Sequence, residues 1–246
     1  MWSIFIGLIV CIGITVCIIL PPGYGKPKLF RNENGDVAEG SISEKILVDI
    51  NNTSLGMFIL GKDISKPVLL FLGGGPGIPA YLLETQYPSG MEKEFVVCYL
   101  EYRGTSLSYH PGIQPETITT EQYIEDAVGA ANYLRERFGQ DKIYLLGHSF
   151  GTYIGIVTAS RHPELFHAYI GMSQITDQEK SEKLAYSYML KQYRLSGNIK
   201  MVSELENYPI LNDDSAYKSY FNSPLRDTAM HRLGGGTMHN MNSVIT

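Results

Sequence analysis

A serine flanked by glycines lies where an apolar run of the sequence gives way to a helical pattern. Residues 147–151 have the sequence GHSFG, a G-x-S-x-G pattern, and follow the mainly apolar run 142–146. A serine hydroxyl is a weak nucleophile, and a sharp strand-to-helix turn can project it toward a base, with the flanking glycines relieving the crowding. The helix predicted over 150–161 would direct its amide dipoles at Ser149 and favour negative charge there. The pattern predicts Ser149 as the nucleophile of an acyl transfer. A glycine-rich turn with an incidental serine is the alternative.

A second glycine-rich segment follows another apolar run. Residues 67–72 (PVLLFL) have the composition of a buried strand, and they lead into GGGPG at 73–77. Such a loop lets backbone amides approach a ligand closely, and the amide of Gly75 could form an oxyanion hole with the amide of Phe150. A flexible turn and a phosphate-binding loop are the alternatives. A Walker-type loop requires a lysine after the glycines, and none follows here.

Three linked motifs resemble those of the α/β-hydrolases, in particular the proline iminopeptidase-like branch. That branch carries H-G-G-P-G, then D-Q-R-G-x-G-x-S, then G-x-S-x-G. This chain has GGGPG at 73–77, EYRGTSLS at 101–108 and GHSFG at 147–151, and the order and spacing match across about residues 40–246. Two departures stand out. Gly73 replaces the histidine that braces the loop in the family, and Glu101 and Tyr102 replace the acid and the amide of the second motif.

The resemblance implies a serine hydrolase that releases an N-terminal residue, often proline, from short peptides without a cofactor or metal. In that family the catalytic acid and histidine follow a helical cap, whereas this sequence reaches Thr246 inside the predicted cap. We therefore expect this chain to stop before the acid and histidine of the triad. We expect His148 to support the turn. The later histidines are poorly placed to act as the base: His162, His167, His231 and His239.

Cap carboxylates commonly recognise the free amine of the substrate in that family. The resemblance makes candidates of Glu179, Glu182, Glu204 and Glu206. Solvated charges on helix surfaces are the alternative interpretation of these residues.

The pattern of elements predicts an α/β fold with a mostly parallel sheet, helices on both faces and a partial helical cap that lacks the last strands. Strands alternate with helices, a hairpin is predicted around Asn51-Asn52, and an amphipathic helix is predicted from Thr119 to Phe138, capped by Thr120 and ended by Gly139. The predicted divisions are an anchor or signal (1–20), a linker (21–40), a hydrolase core (41–173) and a cap (174–246).

Composition narrows the class of protein. A chain of 246 residues with 44% hydrophobic and 18% charged residues is typical of one globular α/β domain. The net charge of −5 provides no electrostatic reason to expect a nucleic-acid partner. The three cysteines are an odd number and argue against a disulfide framework. The sequence leaves the oligomeric state open.

The N-terminal segment predicts a membrane partner. Residues 2–20 contain no charged side chain and would span roughly 28 Å as a helix, close to the thickness of a bilayer. We expect an uncleaved single-pass anchor, with a cleaved signal peptide and secretion as the alternative. Lys26, Lys28 and Arg31 favour a cytoplasmic enzyme by the positive-inside rule. The resemblance to anchored bacterial hydrolases favours the opposite orientation, and both stay open.

Three functions are consistent with the sequence. The first is a serine aminopeptidase acting on short peptides. The second is an esterase or lipase-like enzyme acting on membrane-derived substrates, which the predicted anchor favours, and fold alone does not separate the two chemistries. The third is non-enzymatic: an inactive, truncated or binding-only membrane protein, which the missing base favours.

Overall fold

The computed structural model of the chain describes residues 27–235. They divide into two compact units, one ending at Gln174 and the other beginning at Ile175.

The first unit is built on a six-stranded sheet in the order β1-β2-β4-β3-β5-β6. Strands β1 and β2 are antiparallel, and β2 pairs antiparallel with β4, whereas β3, β4, β5 and β6 are parallel to one another. The prediction of a mostly parallel α/β-hydrolase sheet is therefore confirmed. The strand bounds are Ile42–Ile50 (β1), Thr53–Gly61 (β2), Val68–Leu72 (β3), Val96–Leu100 (β4), Ile143–His148 (β5) and Phe166–Met172 (β6).

The two central parallel strands form where the sequence has short, continuous apolar runs. Every residue of β3 (VLLFL) and of β4 (VVCYL) is buried, as expected for parallel strands covered on both faces. In the pairing register, Leu72 at the end of β3 lies opposite both Leu100 of β4 and Gly147 of β5. The carboxyl ends of these strands therefore meet at one edge of the sheet, and the three motifs follow them.

Helices of the first unit cover both faces of the sheet. They are α1 (Ala80–Gln86), α2 (Thr120–Phe138) and α3 (Phe150–Arg161). Residues of α2 and α3 share one apolar cluster with Leu70 and Leu100, and α1 packs against a second cluster around Phe71 and Tyr99.

Local signals in the sequence predicted several element boundaries well. The hairpin turns at Asn51 and Asn52, both with positive φ, and Gly139 ends α2 in the left-handed conformation. The predicted N-cap residue of α2 was wrong by one position, because the Thr119 side chain, not that of Thr120, accepts the hydrogen bond from the Gln122 amide. A cap residue must have extended backbone angles, and Thr119 has them.

The second unit is helical and has its own apolar core. Its helices are α4 (Gln178–Leu195), α5 (Ile199–Glu206), α6 (Tyr217–Phe221) and α7 (Pro224–Arg232). Buried residues from all four meet in this core, including Tyr186, Leu205, Tyr220 and Ala229. That residues 174–246 act as a cap over a site stays a prediction.

The prediction of a single-pass membrane protein is wrong on the structural finding. No helix between residues 27 and 235 is long and apolar enough to cross a membrane. The apolar composition of residues 2–20 had suggested the anchor, and that segment lies outside the described residues.

Candidate active site

Ser149 lies in the turn between β5 and α3 with unusual backbone angles, φ 52° and ψ −120°. Such angles are strained for a residue with a Cβ and persist only where the surroundings hold them. Here the Ser149 amide donates to the Met172 carbonyl at 3.0 Å. The Ser149 carbonyl accepts from the amide and the hydroxyl of Thr152, at 2.8 and 2.6 Å. These hydrogen bonds secure the turn on both sides of the serine.

The two glycines of the motif are required by close backbone approaches. A Cβ placed on Gly147 would lie 2.4 Å from the Gly151 carbonyl oxygen. A Cβ on Gly151 would lie 2.1 Å from the carbonyl oxygen of Leu72 at the end of β3. The backbones of β5, α3 and the end of β3 thus approach too closely for a side chain at Gly147 or Gly151. This close packing places Ser149 at the N-terminus of α3.

The structure brings the glycine loop 73–77 against Ser149. A Cβ on Gly74 would lie 3.1 Å from the Ser149 Cβ and 3.4 Å from Nδ1 of His148. The next residue, Gly75, has φ 112° and is followed by a cis peptide bond to Pro76.

Backbone amides of the glycine loop and of the start of α3 flank Ser149. Within the described residues, the amides of Gly74 and Gly75 have no hydrogen-bond partner, and the first amides of a helix such as α3, beginning at Phe150, lack intrahelical partners. The assignment of Phe150 and Gly75 as oxyanion donors stays a prediction. Gly74, which the sequence did not single out, is the loop residue in contact with Ser149.

The segment after β4 supports this glycine loop with a hydrogen bond. The Tyr102 hydroxyl donates to the Gly73 carbonyl at 2.9 Å, at the position where the resembling family has a histidine. Arg103 forms a buried bidentate ion pair with Asp126 of α2 and also donates to the Asn51 carbonyl. The retained arginine therefore ties the loop after β4 to α2 and to the hairpin turn.

Glu101 is a buried carboxyl at the same edge of the sheet. It is 3% exposed, and burial raises the pKa of Glu101 to about 7, with a hydrogen bond from Ser106 acting in the opposite direction. Its main chain is held by the Gly56 carbonyl and by the Ser108 hydroxyl. The sequence singled Glu101 out only as a departure from the family motif.

Within residues 27–174, no hydrogen bond joins a histidine to the Ser149 hydroxyl. His110 bonds to the Thr53 hydroxyl at 2.9 Å, His162 lies 3.4 Å from Glu164, and the His167 ring packs on Tyr144. Burial lowers the pKa of His148, which disfavours the charged ring. His231 lies in the second unit, and His239 lies outside the described residues.

The four carboxylates suggested for amine recognition all have basic partners within the second unit. Glu182, 6% exposed, binds Arg226 through both oxygens and also accepts from Gln178. The other three pair with a lysine or arginine on the surface: Glu179 with Lys183, Glu204 with Lys200, and Glu206 with Arg194. These partners favour a structural role for the four carboxylates. Over residues 27–235, no group of three or more His, Cys, Asp and Glu side chains is arranged to hold a metal ion.

Comparison with known protein families assigns this chain to a family, and the sheet and the serine turn agree with that assignment. Residues 67–212 match the family described as alpha/beta hydrolase fold. The chain belongs to that family.

The chain spans about half the length of the individual relatives that it matches. It is 34% identical over 142 residues to the probable aminopeptidase YbaC of Bacillus subtilis (strain 168), a match covering 58% of this chain and 45% of that protein. A proline iminopeptidase-related protein from Thermus thermophilus is 24% identical with a TM-score of 0.48, over 61% of this chain and 50% of that one. An epoxide hydrolase from Vigna radiata is 22% identical with a TM-score of 0.46, over 56% and 40%.

Proposed function

We propose that this chain carries the nucleophile of a serine hydrolase that cleaves the amide bond after the N-terminal residue of short peptides. The observation that carries the proposal is the placement of Ser149 in a strained strand-to-helix turn with the Gly74 backbone against it. The substrate class is supported by the similarity to a probable aminopeptidase.

In the proposed mechanism the Ser149 hydroxyl attacks the carbonyl carbon of the scissile bond and gives its proton to a general base. The tetrahedral oxyanion accepts hydrogen bonds from the amides of Phe150 and Gly75. The C–N bond then breaks, the amine leaves with a proton from the base, and an acyl-serine ester remains. Water hydrolyses this ester, releasing the N-terminal amino acid and restoring the hydroxyl.

A fluorophosphonate probe tests the nucleophile because its reaction ends after one phosphonylation. We expect incubation at alkaline pH, followed by peptide mapping, to show the adduct on Ser149, with none in Ser149→Ala. Ser173 is a useful internal comparison, since it also has positive φ and follows the neighbouring strand β6. Equal labelling of Ser173 and Ser149, or labelling that survives in Ser149→Ala, would contradict the proposal.

A Ser149→Cys variant tests the same site without needing a general base. A thiol ionises near pH 8.5, and a helix N-terminus lowers that pKa. We expect iodoacetamide to alkylate Cys at this position faster than in Ser173→Cys. Proline-β-naphthylamide and short-chain p-nitrophenyl esters, each measured beside Ser149→Ala, then test the substrate class. The proposed peptidase requires Ser149-dependent release of naphthylamine, and release no faster than in Ser149→Ala would contradict it.

A further inference from the structure

Tyr102 contacts both backbone segments that are predicted to bind the oxyanion. Its hydroxyl donates to the carbonyl of Gly73, which opens the glycine loop. Its ring lies edge-on to the Phe150 ring, with the centroids 5.9 Å apart. One side chain therefore touches the first residue of the loop and the first residue of α3.

The position of Tyr102 is itself fixed by the core. The side chain is buried in the apolar cluster beneath the sheet edge, and its ring packs on Tyr123 at 5.0 Å between centroids. Burial raises the pKa of the hydroxyl, which therefore stays protonated and remains a donor at neutral and alkaline pH.

The glycine loop needs an external support of this kind. Gly73, Gly74 and Gly75 have no side chains with which to pack, and Gly75 and Gly77 both have positive φ. A Cβ on Gly77 would lie 3.3 Å from the Thr105 side-chain methyl. The segment after β4 thus supports the loop at its start through Tyr102 and lies beside its end at Thr105.

We propose that Tyr102 is a positioning residue that sets the distance between the glycine loop and the Ser149–Phe150 turn, in place of the histidine that the loop lacks. This role rests on the proposed function of Ser149. Tyr102 acts through the Gly73 carbonyl.

The first measurement is the rate of fluorophosphonate labelling of Ser149 in Tyr102→Phe, which removes only the hydroxyl. Loss of an oxyanion donor costs about 10²–10³ in rate, and we expect displacement of the loop to cost about tenfold. Tyr123→Phe is the matched control. Its hydroxyl belongs to the same aromatic cluster but reaches the Arg103 carbonyl, at 3.4 Å, and not the loop. We expect its labelling rate to equal that of the unaltered chain.

The second measurement separates positioning from general damage to the fold. Alkylation of Ser149→Cys by iodoacetamide develops no oxyanion, so the same Tyr102→Phe change should leave that rate within about twofold. A fall in labelling with unchanged alkylation supports the inference. Unchanged labelling overturns it, and so does an equal fall in both rates. If the unaltered chain shows no Ser149-dependent labelling, the proposed function fails, and this inference with it.

Discussion

Glu101 shows how burial of a single carboxyl makes stability depend on pH. Because its pKa is about 7 in the fold and ordinarily 4.5, the folded chain keeps a proton that the unfolded chain loses between these values. The folded chain is therefore most stable with respect to Glu101 below about pH 4.5, and this stability is lost as the pH rises to about 7. The free energy of unfolding falls by up to ~3 kcal/mol over this range.

We expect Glu101→Gln to remove most of this decline and to stabilise the chain at pH 8 relative to its unaltered form. Urea unfolding followed by circular dichroism at pH 5 and pH 8 measures the difference. Glu94→Gln, at an exposed position whose side chain is 73% accessible, is the control and should leave the pH dependence unchanged. Identical slopes in Glu101→Gln and the unaltered chain would show that Glu101 ionises normally.

At the scale of the element, the packing of helix α3 against the end of β3 requires a glycine at position 151. In Gly151→Ala the new methyl would meet the Leu72 and Gly73 carbonyl oxygens at 2.1 and 2.6 Å, and backbone there cannot move aside cheaply. We expect a loss of at least about 3 kcal/mol, despite the gain of about 1 kcal/mol that alanine brings to a helix. Gly155→Ala, one turn later, meets a side chain, the Tyr169 ring at 2.7 Å, rather than backbone, and it is the control. Equal thermal stability of the two variants would contradict this account.

The helices of the second unit depend on the ion pair between α4 and α7. Arg226→Met would leave the Glu182 carboxylate buried without its partner, at a cost of about 3–5 kcal/mol. Arg194→Met breaks an exposed pair with Glu206 and should cost no more than about 1 kcal/mol. Chemical denaturation of both variants tests the contrast, and a similarly small loss in each would assign Glu182 no structural role.

At the scale of the whole molecule, no histidine of the first unit, residues 27–174, forms a hydrogen bond with the Ser149 hydroxyl. A serine without a base stays protonated at neutral pH, and loss of the base from a triad costs about 10⁶ in kcat. We therefore expect the 246-residue chain to turn over peptide or ester substrates about 10⁴–10⁶-fold more slowly than the typical ~10 s⁻¹. The measurement is steady-state hydrolysis beside Ser149→Ala. A Ser149-dependent rate near 10 s⁻¹ would make His231 or His239 the candidate base.

The sequence by itself determined those features that depend on neighbours along the chain. Apolar runs marked the buried strands β3 and β4, helical spacing marked α2, and two glycines around Ser149 marked the turn between β5 and α3. Each of these features depends on residues only a few positions apart in the chain, as the close backbone approach in the turn depends on the two glycines around Ser149. The apolar run 2–20 shows the weakness of such signals, because composition alone suggested a membrane protein that the described structure does not support.

Only the tertiary structure decided which distant side chains meet. Tyr102 reaches Gly73 because β4 and β3 are neighbours in the sheet, although the two residues are 29 positions apart in the chain. Glu182 is bound by Arg226, 44 positions away, and this pairing favours a structural role for a carboxylate that the resemblance had suggested for amine binding. Such partners depend on strand order and helix packing, and no pattern within one element contains that information.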